Sequence, residues 1–256
     1  MTTTLDVTYR ESVATVRIDR PPANAVDPAL IEDLLRVLPA LAADQAVRCV
    51  VLTGTGRFFM AGADIAVMRD LSEANQLRMR RWTDVQRLLE AMPKPAIAAM
   101  NGHALGGGAE LALACDLRIL AEPATFGFPE MRLGLFPGAG GTQRLPRLVG
   151  PHLAKRVMIE AERLSAAEAL AMGLVDLVVP AAGFDAEAAE RAQRYAAMPT
   201  AAIGLLKHAV LEGWGRPIED ALERELATVL RLIGTEDAAE GLQAFLDKRP
   251  PRFAGR

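Results

Sequence analysis

The chain has 256 residues, 51% of them hydrophobic and 24% charged, the balance of an ordinary soluble globular protein with a substantial core. Its net charge of −3 gives no general attraction to nucleic acid or to an anionic membrane surface, so neither is expected as a partner. Aromatic residues make up only 5%, and abundant alanine favours a helix-rich interior over a β-sandwich.

Met1–Asp6 has neither a basic stretch nor an apolar run, so no signal peptide is expected and the setting is read as cytoplasmic. Leu5–Tyr9 and Val13–Asp19 read as strands around a Glu11-Ser12 turn, with Ala14, Val16 and Ile18 on one face. Asp27 reads as an N-cap before Pro28, and Leu30, Ile31, Leu34, Leu35 and Leu38 follow at helical spacing. Arg48–Leu52 is a compact apolar strand. A long helix is predicted from Ser72 to about Met92, with Leu77, Trp82, Val85, Leu88 and Leu89 buried, and Pro93-Lys94-Pro95 ends it.

Ala96–Met100 is the next strand, a helix follows over roughly Gly108–Ala114, and Leu117–Leu120 is strand again. Cys49 and Cys115 lie in apolar stretches without CxxC spacing and read as buried free thiols in a reducing compartment. Between Lys94 and Asp116 charge is sparse, but Asn101, Glu110 and four glycines make a poor lipid-spanning helix. Ser165 with Glu168 forms a capping box, and Gly173 closes that helix. Beyond about residue 180 the pattern becomes helical throughout: Phe184–Ala197, Ala201–Leu211, Ile218–Leu232 and Glu236–Leu246. The expectation is an α/β core over residues 1–195 and a helical C-terminal module over 196–256.

The densest glycine cluster, Gly102 with Gly106-Gly107-Gly108, falls where a strand gives way to a helix. Glycines there bring a backbone N–H within reach of a ligand. A Walker loop is excluded because no Gly-Lys-Ser/Thr follows, and a dinucleotide fingerprint lacks its third glycine and its acidic residue. An oxyanion-binding turn and a tight packing turn both remain open. Glu110, in the first turn of an apolar helix, is either an exposed partner of the helix N-terminus or a buried acid of raised pKa. Glu130 lies in a loop among apolar neighbours, and two carboxylates in such surroundings can divide proton donation and water activation. No metal-ligand spacing, Ser/His/Asp arrangement or Gly-x-Ser-x-Gly motif is present.

Four segments taken in order are more specific than any one turn. They are Ala61-Gly62-Ala63-Asp64-Ile65, then Asn101-Gly102-x-Ala104-Leu105-Gly106-Gly107-Gly108-x-Glu110-Leu111. Phe126-Gly127-x-Pro129-Glu130 and Pro137-Gly138-Ala139-Gly140-Gly141-Thr142-Gln143-Arg144-Leu145 complete the set. Together they resemble the crotonase (enoyl-CoA hydratase/isomerase) superfamily, and the resemblance runs from Arg20-Pro21 to Arg249.

The resemblance implies an α/β crotonase-like spiral of ββα repeats with a helical C-terminal region. It implies trimers paired as hexamers, an acyl-CoA thioester as substrate, and no metal or redox cofactor, coenzyme A being part of the substrate. Ala63 and Gly107 match the backbone donors of the oxyanion hole, where losing one donor typically costs about 10²–10³ in rate. Glu110 and Glu130 match the two catalytic glutamates of enoyl-CoA hydratases, and Gly138 a position near the water site. Arg57, Ala61, Asp64, Ile65, Phe245 and Lys248 match coenzyme A contacts, Lys248 acting with a neighbouring subunit or module. Having both carboxylates favours hydration over double-bond isomerisation. Ala66 stands where hydratases often carry a lysine, Phe128 where a polar residue is usual, and Met60 is bulkier than its counterparts. The last two are expected to bear on acyl-chain selectivity.

Overall fold

The computed structural model describes residues 4–70 and 72–256; Met1–Thr3, part of the stretch read for a leader, and Leu71 lie outside the described residues. β1 (Leu5–Arg10) and β2 (Val13–Ile18) pair antiparallel. α1 (Pro28–Ala43) starts at Asp27, whose carboxylate accepts the Leu30 N–H at 2.9 Å. Leu30, Ile31, Leu34 and Leu38 bury against the core, each contributing about 1.5–3 kcal/mol. β3 (Cys49–Gly54) and β4 (Phe58–Met60) follow.

Three helices come next: α2 (Ile65–Met68), α3 (Glu73–Arg80) and α4 (Trp82–Glu90). The single helix predicted over residues 72–92 is therefore broken at Arg81, and Leu77 is 53% exposed rather than buried. The cause lies in the composition of its first half. α3 buries only Asn75, whose amide donates to the Val67 and Asp70 carbonyls, whereas α4 carries the apolar stripe Trp82, Val85 and Leu89.

β5 (Ala96–Met100), β6 (His103–Leu105), α5 (Gly107–Leu113), β7 (Leu117–Glu122) and β8 (Thr125–Gly127) continue the alternation. Glu130, read as a loop residue, lies instead in a 3₁₀ helix over Pro129–Leu133, begun by Pro129 and ended by Gly134. After it come α6 (Gly141–Val149), α7 (Pro151–Glu160), β9 (Arg163–Ser165), α8 (Ala166–Ala171) and β10 (Leu177–Pro180). Both arms of the Ser165–Glu168 capping box are formed. α9 (Phe184–Ala196), α10 (Thr200–Gly213), α11 (Ile218–Ile233) and α12 (Glu236–Leu246) close the described chain. Among the described residues no helix is long and apolar enough to cross a membrane.

From β3 to β8, successive strands alternate between two sheets. The larger sheet runs β1-β2-β3-β5-β7-β10 and the smaller β4-β6-β8-β9. All neighbours are parallel except β1 with β2 and β8 with β9. This is a spiral of ββα turns, and it puts the C-terminal ends of β4, β6 and β8 side by side. Ala63, Gly107 and Glu130 all lie just beyond those ends, where parallel sheets present their ligand sites.

The larger sheet is covered on both faces, so its central strands read as continuous apolar runs. Val50, Leu52, Ala98 and Met100 face the main core; Cys49, Val51, Ile97 and Ala99 face Phe184, Ala188, Ala192 and Ala196 of α9. α10 is held to the core by the buried Lys207, whose ammonium donates to the Leu89 and Lys94 carbonyls and to Asp116 Oδ2 at 2.7 Å. Asp116 also accepts the Ala96 N–H at the start of β5.

Candidate active site

Three loops converge on the end of β6. In the first, Val26 forms a parallel bridge with Ala63: Val26 N–H donates to the Gly62 carbonyl at 2.8 Å, and Asp64 N–H to the Val26 carbonyl at 2.9 Å. Those bonds flank Ala63 and leave its own N–H directed away from Val26. Gly107, the first residue of α5, has an N–H that the helix itself does not use. Neither N–H donates to the protein among the described residues. The two segments touch, since a Cβ on Gly62 would stand 3.4 Å from the Gly107 nitrogen. The indole N–H of Trp82 donates to the Gly107 carbonyl at 3.3 Å and anchors that residue from α4.

Glu110 is 3% exposed, which settles it as a buried acid. Its Oε1 accepts two backbone N–H groups, from Ala139 and Gly141, each at 2.9 Å. Burial pushes its pKa up, opposed by these two donors and by the Arg144 cation. Glu130 differs in its partners: its Oε2 is buried and accepts no hydrogen bond. Burial, with the nearby Glu110 charge adding, pushes the Glu130 carboxyl up to about 7.

Gly106 joins the two carboxylates to the turn that carries the free Gly107 N–H. Its carbonyl accepts the Glu110 N–H, and a Cβ there would stand 3.0 Å from Glu130 Oε1. With φ of +52° as well, the position calls for glycine. Two unpaired N–H groups stand ready for a developing oxyanion. Beside them are one carboxyl whose ionised form is hydrogen-bonded and one whose neutral form burial favours. That set can stabilise an enolate while one acid gives a proton and the other takes one.

Residues 8–256 match the enoyl-CoA hydratase/isomerase family. The chain belongs to that family. It is 43% identical over 250 residues to a crotonyl-CoA hydratase of Syntrophomonas wolfei, covering 96% of each chain. It is 40% identical over 256 residues to a 2,3-dehydroadipyl-CoA hydratase of Escherichia coli, covering 98% of this chain and 99% of that one. The crystal structure of an enoyl-CoA hydratase from Bacillus anthracis superposes with a TM-score of 0.93 at 39% identity, covering 99% and 100% of the two chains.

Other residues that the resemblance singled out are distributed unevenly in this hydratase/isomerase fold. Gly138 is exposed on the turn that carries both Glu110 donors. Ala61 is held by its N–H on the Ala23 carbonyl, and Ile65 is 54% exposed at the start of α2. Asp64 caps α2 through the Ala66 N–H and pairs with Arg20 at 2.8 Å, an ion pair that holds its carboxyl below the usual range. Arg57 is exposed, its guanidinium 5.2 Å over the Phe58 ring. Phe245 and Lys248, by contrast, are exposed at the end of α12, whose main contacts are with α10 and α11.

Met60 and Phe128, expected to bear on acyl selectivity, are wholly buried core residues. The Phe128 ring stacks edge-on against Phe126 at 5.7 Å, so hydrophobic packing claims this position.

Sequence reasoning gave no site role to Val26, Trp82, Gln86, Glu90 or Arg144, although Trp82 stood in a buried stripe and Arg144 in the fourth motif. One signal was available. Gln86 breaks an otherwise apolar buried stripe one turn after Trp82, and a buried amide in such a stripe asks for a partner.

Proposed function

We propose that this protein is an enoyl-CoA hydratase, adding water reversibly to a 2-trans-enoyl-CoA to give a 3-hydroxyacyl-CoA. The observation that carries the reading is the meeting at Gly106 of two buried carboxyl groups with two unpaired backbone N–H groups. The Ala63 and Gly107 N–H groups would receive the thioester oxygen, and Glu110 and Glu130 would hold a water against C3 of the acyl chain. Glu110, as carboxylate, takes one proton of that water while its oxygen bonds to C3. The double-bond electrons move onto the thioester oxygen, and Glu130, as carboxylic acid, gives its proton to C2 as the enolate collapses. The pair then exchanges its proton through solvent and is reset. Donors aimed at charge that develops only in the transition state accelerate the reaction without tightening ground-state binding.

Gly138, exposed beside the Glu110 donors, leaves room for the water. Arg57, Ala61, Asp64 and Ile65 would receive the coenzyme A moiety, and Phe245 and Lys248 would reach the coenzyme of a neighbouring subunit. Trimers paired as hexamers are supported by the apolar face that α10, α11 and the turn between them expose, including Leu206, Trp214, Ile218, Leu226, Leu230 and Ile233. The strand-free stretch after Pro180 supports treating 1–195 as the spiral core and 196–256 as a helical module. Adding water across C2 and C3 needs C–O bond formation and proton transfer with no net redox change, and no metal or redox cofactor is proposed. Buried, unpaired Cys49 and Cys115 support a cytoplasmic setting.

Turnover of crotonyl-CoA by wild type, Glu110→Gln and Glu130→Gln tests the reading, with products weighed by mass spectrometry. Hydration adds the mass of water, and each variant should lose about 10²–10⁴ in kcat. An inactive wild type would overturn the hydratase reading; variants as active as wild type would overturn the residue roles. A product of unchanged mass would identify an isomerase.

A further inference from the structure

Glu110 is aimed by backbone groups of the turn before α6, and that turn has a support of its own. Arg144 lies in the first turn of α6, where side chains lean back toward the helix N-terminus. Its guanidinium makes a two-pronged bond to Glu90, Nε donating to Oε1 at 2.7 Å and Nη2 to Oε2 at 2.8 Å. Nη1 donates to the Gln86 side-chain oxygen and to the Ala139 carbonyl, the latter at 3.3 Å. Gly140 has φ of +110°, and the space its missing side chain leaves is occupied by the Arg144 guanidinium. Turn and guanidinium are therefore fitted to one another.

Ala139 is the point of transmission. Its carbonyl faces Arg144, while its N–H, with that of Gly141, holds Glu110 Oε1. Gln86 adds an independent sign. It is wholly buried, yet its amide nitrogen has no hydrogen-bond partner. A buried, unpaired donor costs about 1–3 kcal/mol, so the orientation of this amide is not set by its own hydrogen-bond balance. Its oxygen is delivered to Arg144 instead.

We propose that Arg144, clamped by Glu90 and Gln86 of α4, is a positioning residue for the hydration reaction, holding the Ala139–Gly141 turn in the one geometry that aims Glu110 at water. The inference rests on the hydratase reading above. Lysine cannot reproduce the two-pronged bond to Glu90 together with the bonds to Gln86 and Ala139. The charged groups bearing on Glu110 are Arg144 from α6 and Glu130 from the 3₁₀ helix, with Glu90 from α4 paired to Arg144. Loss of the cation therefore also favours the protonated form of Glu110.

The test takes full-length wild type, Arg144→Lys, Arg144→Met, Glu90→Gln and Gln86→Met. Each is assayed for kcat, KM and pH profile on crotonyl-CoA, for thermal unfolding, and for hydrogen exchange at the Ala139 and Gly141 amides. Misaiming a reacting group by about 1 Å costs on the order of a hundredfold, so both Arg144 variants should lose about 10–100-fold in kcat with KM nearly unchanged. Their acid limb should move to higher pH, and the Ala139 and Gly141 amides should exchange faster. Gln86→Met should hold or raise the melting temperature, because it removes the unpaired donor, while still lowering kcat. Arg144→Met and Glu90→Gln variants that fold and keep wild-type kcat, pH profile and amide protection would overturn the proposal. So would a loss of rate in every variant that only tracks the unfolded fraction. The exchange measurement needs no turnover, so it decides the positioning claim even if wild type fails to hydrate crotonyl-CoA.

Discussion

Glu110 Oε1 stands 2.9 Å from the backbone nitrogen of Gly141 and shares that oxygen between the Gly141 and Ala139 N–H groups. A carboxylate aimed by main chain, as the proposed catalytic Glu110 is, is intolerant of anything that moves that main chain. A Cβ on Gly141 would stand 3.0 Å from Glu110 Oε1 and 2.6 Å from Pro137 Cβ. Gly141→Ala should therefore displace the turn and lower kcat by roughly 10²-fold, with KM changed little. Steady-state kinetics on crotonyl-CoA decide it, and an unchanged kcat would refute the assigned role of these two N–H groups.

The pair's titration should appear in the rate. Hydration needs one carboxylate to take a proton and one carboxylic acid to give one, and the two groups titrate as a unit. Glu130 holds its proton to about pH 7. Above that value the donor to C2 is lost, and kcat should fall by about tenfold per pH unit. The same shift bears on stability. Between pH 4.5 and about 7 the folded chain keeps a proton that the unfolded chain has released, so stability falls as pH rises through that window. Glu130→Gln should flatten the dependence and gain melting temperature over wild type at pH 8 but not at pH 4. Parallel melting curves for the two proteins across that range would refute the raised Glu130 pKa.

The attachment of α10 makes a prediction of a different kind. Lys207 is an almost fully buried cation that pairs, among the described residues, with the Asp116 carboxylate. Replacing it by methionine leaves the Asp116 carboxylate, itself 34% exposed, without its ammonium partner, a change that solvent screening holds to about 1–2 kcal/mol, or roughly 2–8 °C in a chain of this length. Adding Asp116→Asn should restore part of the loss. Thermal unfolding measures both, and the site, built from other elements, should keep its kcat in the folded fraction. A Lys207→Met melting temperature equal to wild type would mean that the pair contributes nothing to holding α10.

What the sequence disclosed and what it hid divide by range. Period and caps were enough for α1, because Asp27, Pro28 and the Leu30–Leu38 stripe are all local signals. The strands β3, β5 and β7 were legible because burial on both faces makes them continuous apolar runs. By contrast, β4, β6, β8 and β9 are three residues each, too short to show any period, yet three of them set the site's geometry. The break at Arg81 depends on where burial begins, which a helical pattern of mixed residues does not reveal. Glu110 was ambiguous for the same reason. Its partners, Ala139 and Gly141, are 29 and 31 residues away and act through main chain, so no side-chain type marks them. Motif order supplied what local pattern lacked, by bringing Ala63, Gly107 and Glu130 together before any fold was known.

The exposed face of α10 and α11 should be the most sensitive to charge. Leu226 is 61% exposed and Leu230 64%, one turn apart on α11, and Leu206 on α10 is 64% exposed. Side chains of this kind are costly to leave in water in a contiguous patch, at about 25 cal/mol for each Å² of apolar surface. Self-association through this face removes that cost, and the proposed trimer would bury it. Leu226→Glu combined with Leu230→Lys places two charges in the middle of the patch, where an interface would have to desolvate them. Analytical ultracentrifugation should then show smaller species than wild type. Circular dichroism should be nearly unchanged, because neither side chain belongs to the buried core of the single chain. If the double variant keeps the wild-type sedimentation coefficient, this face is not where the subunits meet.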